Sequence, residues 1–171
     1  MKEIWQPVEE APGYYVSNHG NVRKALDYNM ATGRLPDGTR TVSMTVDKKQ
    51  QVFVLRRVVA AAFCDIPDEH SDTVVHLDGD QNNCHADNLV WRPRWFAWRY
   101  TRQFRLATLD RWEIPVVNVV TGDMSPSVVA AGMIDGTLWA DVYRSVIEGV
   151  QIYPYGHIYS HAEDYHDTTK R

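Results

Sequence analysis

The sequence predicts an α+β protein: a small β-rich N-terminal module, a central strand-turn-strand unit leading into a helix, and a C-terminal module of one strand and two helices. Three observations support this. Apolar residues alternate with period two in the first third of the chain, a tight Asp78-Gly79 turn separates two short strand candidates, and two helical stretches flank Asp135-Gly136 near the end. A chain of 171 residues accommodates one ordinary domain or two or three small modules sharing a core. With 44% hydrophobic residues and six tryptophans it has enough apolar surface to offset the entropy of ordering.

In chain order, Gly13, Gly20, Gly33 and Pro36-Asp37-Gly38 mark turns among short strands at Tyr14–Val16 and Asn21–Arg23. Thr41–Val46 and Gln51–Leu55 alternate cleanly, so Asp47–Gln50 between them is a hairpin connection. Val54–Phe63 predicts a helix whose Ala/Val face packs on the sheet, with Arg56 and Arg57 on its exposed side. After an acidic loop at Asp65–Asp72, Thr73–His76 is a strand, Asp78-Gly79 a turn and Asn88–Trp91 the returning strand. Pro93 suits the start of a helix over Arg92–Arg105, although the tryptophans and phenylalanines there give no clean amphipathic stripe. Ile114–Val120 is a strand closed by Thr121-Gly122. Ser127–Met133 and Leu138–Glu148 follow as helices, with Gly149 as the stop. The expected modules are 1–66, 67–111 and 112–161, followed by a disordered tail over 162–171.

Composition excludes several classes. The longest apolar run, Val58–Cys64, is far too short to span a bilayer, and Met1–Trp5 lacks the apolar core of a secretory signal, so a cytoplasmic protein is expected. Cys64 and Cys84 form no Cys-x-x-Cys pair, which argues against a four-cysteine zinc site or a disulfide framework and leaves two ordinary thiols. Net charge is −4, but its distribution is uneven: between Arg92 and Trp112 six arginines face one aspartate. Arg92, Arg94, Arg99, Arg102 and Arg105 are therefore candidate phosphate contacts, with Trp95, Trp98, Tyr100 or Phe104 packed beneath them or against sugars. The alternative for this segment is a solvated helix face or a protein interface. His157, His161 and His166 have no ligand-like partners at useful spacing and are expected at the surface or in the tail.

The segment His76, Asp78-Gly79-Asp80, Asn82-Asn83, His85 and Asn88-Leu89-Val90-Trp91 resembles the core motif of the phage-type HNH homing endonucleases. Glu3-Ile4-Trp5, Pro7, Gly13–Asn18, Gly20 and Val22-Arg23, continued by Leu55–Ala60 and Ala62-Phe63, are similar to the nuclease-associated modular domain that often precedes that core. The last module resembles, more loosely, the helix-turn-helix repeats at the C-termini of such proteins. The resemblance implies a ββα-metal (HNH, His-Me finger) core with His76 as the general base that deprotonates the attacking water. It makes Asn88 the residue that ties down the loop and orients the histidine. It also implies double-stranded DNA as partner, a Mg²⁺ or Mn²⁺ cofactor if the site is active, and the cytoplasm of an infected bacterium.

The departures from the family pattern lie at its ligands. Val75 stands where the family commonly places Asp, His or Asn, and the second ligand position falls near Ala97 or Trp98. Cys84 replaces the second asparagine of the family pair. Asp78, Asp80 and His85 are near enough in sequence to be considered as substitutes, though Asp78-Gly79 already has a use in the turn. The metal ligands are thus left unassigned. Three functions are compatible: a DNA-nicking or DNA-cleaving enzyme, a DNA-binding protein that has lost hydrolysis, and a binder of a host protein. Oligomeric state is not legible.

Overall fold

The computed structural model describes residues 2–25, 28–106 and 113–165. These group as two compact units, Met1–Ala97 and Trp98–Arg171, rather than the three modules expected from glycine and proline punctuation. Among the described residues no helix is long and apolar enough to cross a membrane.

The first unit opens with β1 (Trp5–Pro7), β2 (Tyr14–Ser17), β3 (Val22–Lys24) and β4 (Tyr28–Asn29), antiparallel neighbours in that order. A second antiparallel sheet holds β5 (Thr32–Arg34), β6 (Arg40–Val46) and β7 (Lys49–Val54). The predicted alternation is visible in β6, where Val42 and Met44 are buried. The hairpin from β6 to β7 is tighter than expected. Its loop is Asp47-Lys48 alone, both with positive φ (50° and 64°), the conformation that matches strand twist in a two-residue hairpin.

Helix α1 (Leu55–Phe63) follows directly, and Leu55, Val58 and Val59 on one stripe enter the core. Then come β8 (Thr73–His76), a single 3-10 turn at Ala86–Asn88, and β9 (Leu89–Arg92), paired antiparallel with His76 opposite Leu89 and Val75 opposite Val90. Val8, Tyr14, Val16, Met44, Leu55, Val59, Val74, Leu89 and Trp91 belong to one apolar cluster. The residues before 66 and the strand pair after it therefore share a core. Hydrogen bonds reinforce this: Trp91 Nε1 donates to the Ala60 carbonyl at 3.3 Å, and the Ala86 amide donates to the Asn18 carbonyl at 2.8 Å.

Helix α2 (Arg94–Leu106) begins as Pro93 suggests, and the division between units falls within it. The second unit contains β10 (Val116–Asn118), β11 (Met124–Ser125), α3 (Val128–Asp135), α4 (Trp139–Glu148) and β12 (Tyr159–His161), in a sheet ordered β11-β10-β12. Neither β11 nor β12 is foreseen from periodicity, since each is too short to show one. The helix limits follow their caps. Ser127 Oγ accepts from the Ala130 amide at 3.0 Å, and Gly136 and Gly149 take left-handed conformations at the two C-termini. Leu138 offers α4 no side-chain cap, and Gln103 Oε1 instead accepts from the Trp139 amide at 3.1 Å. Val116, Val128, Ala131, Trp139, Val142, Ile152 and Tyr159 form this unit's core, with Phe104 stacked edge-on against Trp139.

The start of the expected disordered tail is placed: the Ala162 amide donates to the Pro115 carbonyl at 3.1 Å, and that of Asp164 to the His161 carbonyl at 3.2 Å. The remainder, 166–171, lies outside the described residues, as do Arg111 and His166.

Candidate functional site

His76 ends β8, and the loop from residue 77 to 88 folds back over its backbone. The Leu77 amide donates to the Asn88 carbonyl at 2.8 Å and the Gly79 amide to the His76 carbonyl at 3.1 Å, with Gly79 at φ 75°. Asn88 ties this loop. Its Oδ1 accepts from the Asp78 amide at 3.0 Å, while its Nδ2 donates to Asp78 Oδ1 at 2.8 Å and to the Asn83 carbonyl at 2.9 Å. Only a side chain with both donor and acceptor can make this set.

The carboxylates of Asp78 and Asp80 are occupied by their own neighbourhood. Asp78 Oδ1 also accepts from the Asp80 amide at 2.8 Å, and its Oδ2 from Asn83 Nδ2 at 2.7 Å. Asp80 Oδ1 accepts from the Asn82 amide at 2.8 Å and from Asn82 Nδ2 at 2.9 Å. His85 is used likewise, its Nδ1 accepting weakly from the Asp87 amide at the start of the 3-10 turn and its ring lying 4.7 Å from that of His19. These three residues, weighed above as substitute ligands, are each explained by loop structure.

His76 itself is 7% exposed. Burial, and after it the Arg56 guanidinium, pushes its imidazole down to about 4, with Asp78 and Asp80 pulling the other way. At neutral pH the ring is therefore uncharged, and a weaker base than a free imidazole. Its Nε2 faces the Cys84 sulfur at 3.9 Å, and burial raises that thiol above its ordinary value. Cys84 is thus not an isolated core thiol, and it stands against the histidine the motif singles out.

The positions where the resemblance places the metal ligands carry apolar side chains. Val75 is 3% exposed and, one residue from His76 on a strand, points to the opposite face. Ala97 is 4% exposed. Among the described residues no three His, Cys, Asp or Glu side chains are grouped so as to hold a metal ion. Hard cations need several oxygen or imidazole donors, and hydrocarbon side chains supply none, so the residues present do not fit a Mg²⁺ or Mn²⁺ centre.

The arginines expected to meet phosphate separate into two kinds. Arg92 is 1% exposed and donates through Nη1 to the Trp91 carbonyl at 2.9 Å. Burial removes it from the set, because a charge enclosed by the fold cannot reach a phosphate outside it. Arg94, Arg99, Arg102 and Arg105 are all exposed on α2. In the first unit Trp95 stands exposed beside Arg94; in the second, the Arg102 guanidinium lies 4.9 Å from the ring centre of exposed Trp98. Tyr100, in contrast, is fully buried and Phe104 joins the second unit's core.

One expectation for the outlying histidines is also corrected. His157 is half-buried, with its Nδ1 2.5 Å from Asp135 Oδ2, an acid that also accepts from the Tyr159 hydroxyl. His161 lies in β12 opposite Val116. Sequence reasoning also overlooked basic residues near the motif loop: Arg34 and Arg40, and Arg56, which is half-buried rather than merely on the exposed side of α1. The only signal for the first pair is their cross-strand register, which depends on where β5 and β6 begin and end.

No family model matches the chain. The H-N-H endonuclease F-TflI of Escherichia phage T5 is 28% identical to it over 85 residues, covering 48% of this chain and 44% of that protein. The chain's match thus spans less than half of the relative's length. The solved structure of the HNH homing endonuclease I-HmuI, described as binding and cleaving DNA, aligns with a TM-score of 0.50 at 24% identity, over 92% of this chain and 97% of the other. That alignment establishes a shared fold.

Proposed function

We propose that the chain is a DNA-binding protein of the HNH homing-endonuclease type in which the HNH loop has kept its architecture and lost cation-dependent hydrolysis. The observation that carries this reading is the apolar character of the positions where the resemblance places the ligands, Val75 and Ala97 or Trp98, the first two of them buried. Without a cation, nothing in that motif offsets charge developing on a phosphate and its departing 3′ oxygen. The exposed arginines of α2 supply the sequence-independent attraction to a phosphate backbone. In this reading α3, the Gly136 turn and α4 act as a helix-turn-helix-like element, with Tyr143, Arg144 and Ile147 on the exposed side of α4.

A second reading, a nuclease with His76 as general base, is favoured by one observation: the uncharged imidazole is in the state a base requires. One experiment separates the two. Fluorescence anisotropy with duplex DNA is expected to show salt-sensitive binding that weakens when Arg99 and Arg102 are both changed to alanine. In parallel, supercoiled plasmid incubated with Mn²⁺ is expected to stay intact with both the wild-type chain and His76→Ala. Nicking that requires both Mn²⁺ and His76 would overturn the first reading in favour of the second.

A further inference from the structure

Arg34 ends β5 and pairs in register with Arg40 at the start of β6. Like charges directly opposite on an antiparallel pair repel. Both guanidinium groups nevertheless reach a single residue of the motif loop. Arg34 Nη1 donates to Asn82 Oδ1, and Arg40 Nη1 donates to the Asn82 carbonyl at 3.0 Å, with its Nη2 on Thr32 Oγ1 at 3.2 Å. A third arginine, Arg56, sits in the first turn of α1, where the helix dipole disfavours a cation and no acid is present to offset it. Its field reaches both His76 and Cys84.

Among the described residues none of the three forms an ion pair. The nearby acids have other uses: Asp78 and Asp80 hold the loop's amides, and the Asp37 carboxylate accepts from the Thr39 amide at 2.9 Å. Each arginine retains donors beyond those the fold employs, since a guanidinium carries five. Two guanidinium groups brought to one loop residue from directly opposed strand positions, without a paired acid, form an arrangement that a bound anion would relieve.

We propose that Arg34 and Arg40 form a phosphate-binding site beside the His76–Asn88 loop, occupied by the backbone of a DNA strand. This rests on the DNA-binding reading above and adds a contact region at β5 and β6, beside the motif loop.

The test compares wild type, an Arg34→Ala/Arg40→Ala double variant and an Arg34→Lys/Arg40→Lys double variant in duplex binding between 50 and 200 mM salt. Loss of two phosphate contacts makes the slope of log affinity against log salt shallower by about 1.8, so wild-type affinity should fall about tenfold more than the alanine variant's over that range. The lysine variant keeps the charges while changing the bond to Asn82, and should restore the wild-type slope. A purely structural role predicts instead that lysine and alanine behave alike, and that result would overturn the proposal, as would an alanine variant with an unchanged slope. Thermal stabilisation by inorganic phosphate that disappears in the alanine variant, together with an unaltered DNA slope, would assign the site to a free anion and also overturn it. If Arg99→Ala/Arg102→Ala weakens binding while the Arg34/Arg40 variants do not, only this proposal falls. Absence of DNA binding by wild type removes both.

Discussion

Acidification should destabilise the first unit through His76, by an amount that can be worked out. The unfolded chain titrates this histidine near its ordinary 6.5, whereas burial and the Arg56 charge hold it at about 4 in the fold. The folded value is the lower one, so between these limits the unfolded chain binds more protons. Stability from this source is complete above pH 6.5 and is lost as pH falls toward 4. Linkage over that gap gives a loss of about 2 kcal/mol at pH 5 and about 3 kcal/mol once both states are protonated. The assay is urea unfolding at pH 7.0, 6.0 and 5.0 for the wild-type chain and His76→Gln. The glutamine variant cannot titrate, and every other group contributes to both chains alike. With an m-value of about 2 kcal/mol per molar, the wild-type midpoint should fall by about 1 M more than the variant's between pH 7 and pH 5. Parallel midpoints across that range would refute the argument, because they would mean that the ring keeps its ordinary affinity for protons in the fold.

Two further substitutions test the packing. Asn88→Ala removes three hydrogen bonds of 2.8–3.0 Å from a half-buried loop and should cost about 2–3 kcal/mol in chemical denaturation, with increased amide exchange in the loop. Gly132→Ala should destabilise the second unit by about 1–3 kcal/mol despite alanine's better helix propensity, because its Cβ would stand 2.6 Å from Trp139 Cδ1 and 3.1 Å from the Thr137 carbonyl. A melting temperature at or above wild type would show that Trp139 can yield.

What the sequence makes legible is what local chemistry decides. The Asp47-Lys48 hairpin, the helix stops at Gly136 and Gly149, and the Asp78-Gly79 turn each depend on a few adjacent residues, and each forms within a residue or two of its expected position. Asn88 is readable for the same reason, as its partners lie within the loop it closes. The misjudged features are those decided across the fold. Arg92 looks like part of a basic run, yet at the end of β9 it is enclosed by the fold while its neighbours on α2 face out. The contact of Cys84 with His76 requires the whole loop to fold back, and the convergence of Arg34 and Arg40 on Asn82 spans more than forty residues of chain. Strands as short as β11 and β12 have no periodicity to read and exist because β10 offers them edges.

The meeting of Gly20 with the motif loop bears on how such a chain can be recombined. Gly20 has φ 78°, and a Cβ there would lie 2.9 Å from the Cys84 carbonyl oxygen, so the turn after β2 touches the loop with no room for a side chain. Beside it, the Asn18 carbonyl receives the Ala86 amide. The module boundary expected at residue 66 invites a cut there, but an exchange of segments at that point would part a backbone-to-backbone seam that substitutions on either side cannot easily refit. The first ninety-seven residues are therefore best treated as one heritable block, within which a crossover at 66 would have to bring matched partners for both halves.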